Sequence, residues 1–367
     1  MQRSSHQISP GQAVAIVVIA IIGSATLIVP GGMIKEAAQD AWLSGLVAMA
    51  LTLFTGGLWL WLASLWPGRD LFDLVLAAGG RWLGGLIIVL LLLWFYLILT
   101  GAVWIGTDTI LTVFLPETPR VVLSVSILAP AAYAAHSRHE VIARLSHLSL
   151  WAIVLLLLLL IPLSGPSVDF KRLAPPLAGG VAPVWRGALR LVGILSENMV
   201  LVTLLPAIRK PVRPWRLLVL ATVIAAGMVT VLNLWTVTIF GPKFPARFQY
   251  PVLLLAHIIS VGDVIERLDA LIMALWIAGV VAKAGLWYWL LCRGLARLLG
   301  LRSSRTLVWP FFLLLIAGTL TWVENSPAYP GSLRAWTVLF TPPIALAVPL
   351  ILLAVTAFVR RREAARV

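Results

Sequence analysis

Charge is what this sequence has least of. Only 11% of its 367 residues are Asp, Glu, Lys or Arg, against roughly a quarter in an ordinary soluble domain. Hydrophobic residues make up 61%, and the mean hydropathy is +1.01. A soluble enzyme and a disordered, solvated chain are both excluded by that composition. Acidic residues are scarcer still, 14 against 28 Lys and Arg, for a net charge of +14. Such a balance would suit nucleic acid. Here, however, the basic residues fall between long apolar runs, as loop charge does on a membrane protein, and no nucleic-acid partner is expected. Cysteine is almost absent: Cys292 stands alone and has no internal disulfide partner. The five histidines are scattered, without metal-ligand spacing, and there is no Gly-rich phosphate loop. No catalytic residues, metal or cofactor are therefore expected, and the chain does not read as an enzyme.

What is present is a series of apolar runs long enough to cross a bilayer, about 20 residues each. Ten spans are expected, at roughly 11–35, 42–65, 83–114, 119–136, 141–163, 184–207, 215–240, 265–299, 306–323 and 335–359. The polar opening MQRSSHQISPGQ has no small-residue cleavage site after the first apolar run, so that run reads as a retained span. The run Leu155–Leu160 suits a lipid-facing surface. The chain is thus an all-α polytopic membrane protein forming one integral domain over 1–367, with 360–367 a short basic tail. Seventeen of the 28 Lys and Arg lie on the side of the N-terminus and ten on the other, with Lys283 inside a span. That bias puts both termini on the cytoplasmic side. Tryptophans near predicted span ends, among them Trp42, Trp66, Trp82, Trp185, Trp215, Trp309 and Trp336, form the expected interfacial belt.

Two linkers have their own character. In 69–79, Leu71, Leu74, Val75 and Ala78 recur at helical spacing and predict a short helix lying in the membrane interface. In 241–264, Gly241, Pro242, Pro245 and Pro251 precede an apolar patch that predicts a short helix over an outer vestibule. Five spans per half would invert the second half relative to the first, with repeats at about 8–163 and 184–359. Oddities recur in matching places: IGSATLIVPGG interrupts the first span and GILSEN the sixth, while the third and eighth are overlong. Interrupted segments at corresponding positions point to a transporter-type midplane site. The competing reading is that Gly23 and Gly193 are close-packing positions.

A helix break would offer free N–H groups to a carboxylate and free carbonyls to a cation. Gly23, Ser24, Ala25 and Thr26 would supply one set, and Gly193, Ile194, Leu195 and Ser196 the other. The Ser24 and Thr26 hydroxyls could instead bond back to their own helix. A charge at a span centre costs roughly 2.5–3.5 kcal/mol on translocon scales, so Asp108, Glu197, Asp269 and Lys283 stand out. Glu197 adjoins the second break and is a candidate partner for Lys283. Asp108 and Asp269 lie nearer span ends, where a solvated or capping role is expected. Tyr96 and Thr100 share one face of the third span. Trp276, Val280, Lys283 and Trp287 form one stripe of the eighth. The candidate ligand-binding set is therefore Gly23, Ser24, Ala25, Thr26, Tyr96, Thr100, Gly193, Ile194, Leu195, Ser196, Glu197, Lys283 and Trp287.

The opening ISPGQ followed by IGSATLIVPGGMIKEAAQDAWLSGL resembles the first two spans of GerAB/GerKB-type spore germination proteins. The stretches WPGRDLFDL with GRWLG, AAYAAHSRHEVIARL, SENMVLVTLLPAI and ERLDALIMALWIAGVVAKAGLW continue the likeness from about residue 8 to residue 290. The resemblance implies membership of the amino acid–polyamine–organocation (APC) transporter superfamily. It also implies a LeuT/APC-like five-plus-five inverted repeat with broken helices 1 and 6. It further implies a germinant-receptor B subunit that senses a nutrient, commonly an amino acid, in the spore inner membrane. Its partners would be a larger A-type subunit and a lipoprotein C-type subunit. Where many relatives have a Gly-Val-Gly-like stretch, this chain has Gly23-Ser24-Ala25-Thr26. The added side chains would narrow or polarise the pocket, so the ligand is not carried over. The same scaffold would also suit an active amino-acid or proton-coupled transporter, or a water or ion conduit.

Overall fold

The structure is a computed structural model, and it describes residues 7–137, 139–248, 250–258, 268–321, 340, 341 and 343–364. Among the described residues, twelve α-helices follow in order: α1 Pro10–Ala37, α2 Ala41–Leu65, α3 Leu71–Val113, α4 Arg120–His136, α5 His139–Leu163, α6 Val181–Leu195, α7 Val200–Leu204, α8 Pro214–Phe240, α9 Pro251–Ile258, α10 Leu268–Leu298, α11 Val308–Thr321 and α12 Val348–Ala364. Among the described residues, seven helical stretches are long and apolar enough to cross a membrane, the Pro10–Leu65 run that holds α1 and α2 counting as one. Arg120–His136 and Arg305–Thr321 are shorter. The described parts of the expected spans are helical, the sixth as α6, a 3₁₀ turn and α7; the start of the eighth, the end of the ninth and the start of the tenth, with Trp336, lie outside the described residues.

The first span is not broken. α1 is one 28-residue helix through IGSATLIVPGG, which corrects the expected interruption there. Its start explains the ISPGQ motif: Ser9 caps the helix, Pro10 takes the first turn, and Gln12 returns a bond to the Ser9 backbone N–H. At 1.5 Å per residue α1 is about 42 Å long. Every residue from Ala13 to Thr26 is buried, so this helix is the axis of the bundle and is apolar all round. The sixth span does change geometry. α6 ends at Leu195, a tighter 3₁₀ turn covers Ser196–Met199, and α7 resumes at Val200.

Several long helices pack across the boundary between the first five spans and the rest. The first span packs on the sixth (α1 on α6), the second on the seventh (α2 on α8), the third on the eighth (α3 on α10) and the fourth on the ninth (α4 on α11). α1 also packs on α8 and α10, α2 on α6, and α4 on α10, so α1 and α10 lie at the middle of the bundle.

The 69–79 linker differs from expectation. Its helix forms the start of α3 and bends away at Gly80, whose φ of 69° suits glycine. Leu71, Phe72, Leu74 and Val75 are fully buried in protein rather than laid in the lipid interface, with Phe72 set against Gly294 of α10. Asp73, Leu76 and Ala77 form its other, partly exposed face. The 241–264 linker does contain a short helix: α9 packs on α1, with Pro251 against Gly31. Residues 259–264 of that linker lie outside the described set. Leu155 and Leu158 face outward as expected, whereas Leu156 turns inward.

Two groups of contacts define the ends of the bundle. At the basic end, Ile8 forms a short parallel bridge with Ile208, its N–H donating to the Ala207 carbonyl and its own carbonyl accepting from Arg209. There too, Arg293 pairs with Asp70 at 2.6 Å and Arg297 with Asp73 at 2.5 Å. At the opposite end, Glu36 holds Arg190 at 2.8 Å and Arg186 at 3.5 Å, and Asp40 accepts the Leu177 N–H. With so few carboxylates in the chain, most described ones tie two elements together.

Candidate functional site

At the centre of the bundle, α1, α10 and the 3₁₀ turn of the sixth span meet. Lys283, from α10, places its Nζ 2.9 Å from Glu197 Oε2 and 3.1 Å from Oε1. The same ammonium donates to the Ile21 carbonyl of α1 at 3.4 Å. Both side chains are all but closed to solvent, at 2% and 6% exposure. A pair this deep is held by mutual neutralisation, with the Ile21 carbonyl accepting a further hydrogen bond from the lysine. The contact sought between Glu197 and Lys283 therefore exists.

Glycine makes the approach possible. A Cβ on Gly23 would lie 2.7 Å from the Gly279 carbonyl oxygen and 2.9 Å from Lys283 Cβ. Gly23 thus serves helix-to-helix contact, the competing reading of that residue. The α1 backbone keeps its own hydrogen bonds there, so Gly23, Ser24, Ala25 and Thr26 offer no set of free amides. Thr26 bonds back to Ile22 O at 3.4 Å. Ser24, Ala25 and Thr26 are buried. In the sixth span, Gly193, Ile194 and Leu195 are still α-helical, and Ser196 donates back to Val192 O at 2.7 Å. The change of geometry begins only at Ser196, and it turns Glu197 toward α10.

Trp287, one turn beyond Lys283, is fully buried; its indole N–H approaches the Glu197 carboxylate without a well-formed hydrogen bond. Its ring packs against Trp94 and Phe95 at centroid distances of 5.7 and 5.1 Å. Trp276 and Val280 are buried along the same stripe. Tyr96 and Thr100 are not part of this group. Both pack over Gly318 of α11, and Thr100 donates to Tyr96 O at 2.9 Å.

Asp108 is neither solvated nor a cap. It is buried, accepts from Arg120 at 3.1 Å and from the Tyr250 hydroxyl at 2.8 Å, and so pins the outer linker to the third and fourth spans. Burial pushes the Tyr250 hydroxyl above the ordinary tyrosine range, so it stays a donor. The side chain of Asp269 lies outside the described residues. Residues missed by sequence reasoning are Ile21 and Gly279. An apolar residue acting through its carbonyl leaves no signal, but a glycine one turn before an intramembrane lysine could have pointed to Gly279. Among the described residues, no three His, Cys, Asp or Glu side chains converge as a metal site would require.

Comparisons with known proteins agree with this architecture. The chain is 26% identical over 369 residues to spore germination protein KB of Bacillus subtilis (strain 168), covering 97% of this chain and 96% of that protein. It is 28% identical over 192 residues to spore germination protein XB of Bacillus anthracis, covering 52% and 54%. Among solved structures, a variant of the Eremococcus coleocola manganese transporter superposes with a TM-score of 0.58 at 15% identity, over 94% of this chain and 78% of that one. The same transporter with an aromatic bis-isothiourea substituted compound gives 0.58 at 16% identity, over 93% and 76%. At this identity the likeness concerns the fold alone. A family model described as spore germination protein matches residues 7–326. The chain is therefore an integral membrane protein of APC-like transporter fold, and it belongs to the spore germination protein family.

Proposed function

We propose that this chain is the membrane-embedded B-type subunit of a nutrient germinant receptor in the spore inner membrane. It has both termini on the core side and works with A-type and C-type (lipoprotein) partners. Its ligand is a small nutrient, an amino acid, held at the midplane where Gly23, Ser196, Glu197, Lys283 and Trp287 gather. The observation that supports this reading is the buried Lys283–Glu197 pair, set on the change of geometry in the sixth span. An amino acid carries one carboxylate and one ammonium, so it could take the place of each partner in turn. A nutrient that separates the pair would alter the contact of α10 with α1 and the sixth span, and that is a two-state element.

A transporter reading is supported by the likeness in fold to a manganese transporter and by a carboxylate–ammonium pair able to exchange a proton. Labelled amino acids offered to proteoliposomes discriminate the two. Saturable binding without accumulation is the expected result, and Gly23→Leu should abolish it. Robust accumulation would establish the transporter instead.

A further inference from the structure

The basic end carries a cavity that the nutrient site does not use. About 340 Å³ in volume, it lies between the start of α3, the end of α10 and the 299–307 loop. Four arginines line it, and two of them, Arg293 and Arg297, are matched by Asp70 and Asp73. Arg302 and Arg305 are exposed and, among the described residues, make no ion pair. Ser303 and Ser304 stand between them on the cavity wall, with the Ser303 hydroxyl accepting the Arg305 backbone N–H at 3.3 Å. The cavity thus holds two unmatched guanidinium forks, which suit the paired oxygens of a phosphate.

The surroundings are apolar. Leu301 lines the cavity and is exposed, as is neighbouring Leu299, and Leu298 packs beside Gly85 on the lipid-facing side of α3, next to exposed Leu86. A basic pocket flanked by exposed leucines fits an amphiphile better than a free ion. We propose that this cavity binds the phosphate headgroup of an anionic phospholipid, with Arg302 and Arg305 as its principal contacts and the acyl chains along Leu298, Leu299 and Leu301. The headgroup would sit beside the Asp70–Arg293 and Asp73–Arg297 ties and so steady the basic end of the bundle.

The test uses the full-length chain in neutral detergent. Dioctanoyl phosphatidylglycerol, dioctanoyl phosphatidylcholine and inorganic phosphate are titrated separately, with thermal midpoint and lipid adducts in native mass spectrometry as readouts. Phosphatidylglycerol should raise the midpoint and add to the protein, while phosphatidylcholine should do neither. In Arg302→Gln/Arg305→Gln the half-effective lipid concentration should rise about tenfold or more, because charge-assisted bonds are lost. An unchanged lipid-free midpoint would show that this variant is folded. Equal lipid response in parent and variant would overturn the proposal and leave the arginines as solvated loop charge. The same saturating shift with inorganic phosphate would overturn the lipid assignment in favour of a soluble anion.

Discussion

The first and sixth spans both reach the buried Lys283–Glu197 junction, yet they contribute to it in different ways. α1 stays helical throughout, although Pro30 gives the Thr26 carbonyl no N–H, and contributes an absence of side chain at Gly23 with one carbonyl, Ile21, turned to an ammonium. The sixth span tightens into a 3₁₀ turn and contributes a carboxylate, Glu197. The two spans thus divide the work: one provides room and the other provides charge. The lysine that joins them comes from a third helix, α10, so the three move as a unit or part together.

The largest effect should come from removing charge on one side only. Glu197→Ala or Lys283→Ala leaves its partner buried and unmatched, which costs about 3–5 kcal/mol. Each single variant should show a large loss of folded protein in the membrane, read by detergent-solubilised thermal unfolding. A loss no greater than that of an ordinary surface substitution would show that the pair is not needed for assembly.

Next comes the space on α1. Gly23→Ala forces a methyl against the Gly279 carbonyl and Lys283, and should destabilise by about 1–3 kcal/mol. Gly227→Ala, on α8 with nothing within 4 Å of its added methyl, should instead gain up to about 1 kcal/mol from helix propensity. Equal midpoints for the two alanine variants would remove the close-contact account of Gly23.

The smallest effects should fall on residues set apart from the junction. Thr26→Val replaces a hydroxyl that only returns to its own helix, and Tyr96→Phe alters a ring packed over Gly318. Both should leave nutrient dose–response within about twofold of the parent, since a surface-type or internally satisfied change is worth about 0.5 kcal/mol. A rightward shift of tenfold in either would extend the site along α1 or toward the third span.

Much of this arrangement was legible in the residues. Span positions came from apolar length, and Glu197 and Lys283 from the cost of charge in a membrane. The error at the first span has a physical cause. Gly, Ser and Thr in a row weaken a helix in water, but inside a bundle a continuous helix satisfies nearly all its backbone groups, and glycine there serves contact instead. The 69–79 helix misled for a related reason. Its apolar face reads alike whether lipid or protein covers it, and only the approach of Phe72 to Gly294 tells which. Tyr96 and Thr100 share a face, as their spacing required, but spacing cannot say which neighbour that face meets.

Dose–response to nutrient in spores carrying Lys283→Met, Glu197→Gln, or both together is the most direct test of the central claim, that the buried pair couples nutrient to the bundle. Lys283→Met keeps side-chain length and removes charge, and Glu197→Gln keeps shape. The account predicts that each single variant loses response, and that the double variant recovers membrane protein level, because no charge is left unmatched, but stays unresponsive. Parental protein level and parental response in Lys283→Met alone would contradict it, and Lys283 would then leave the site.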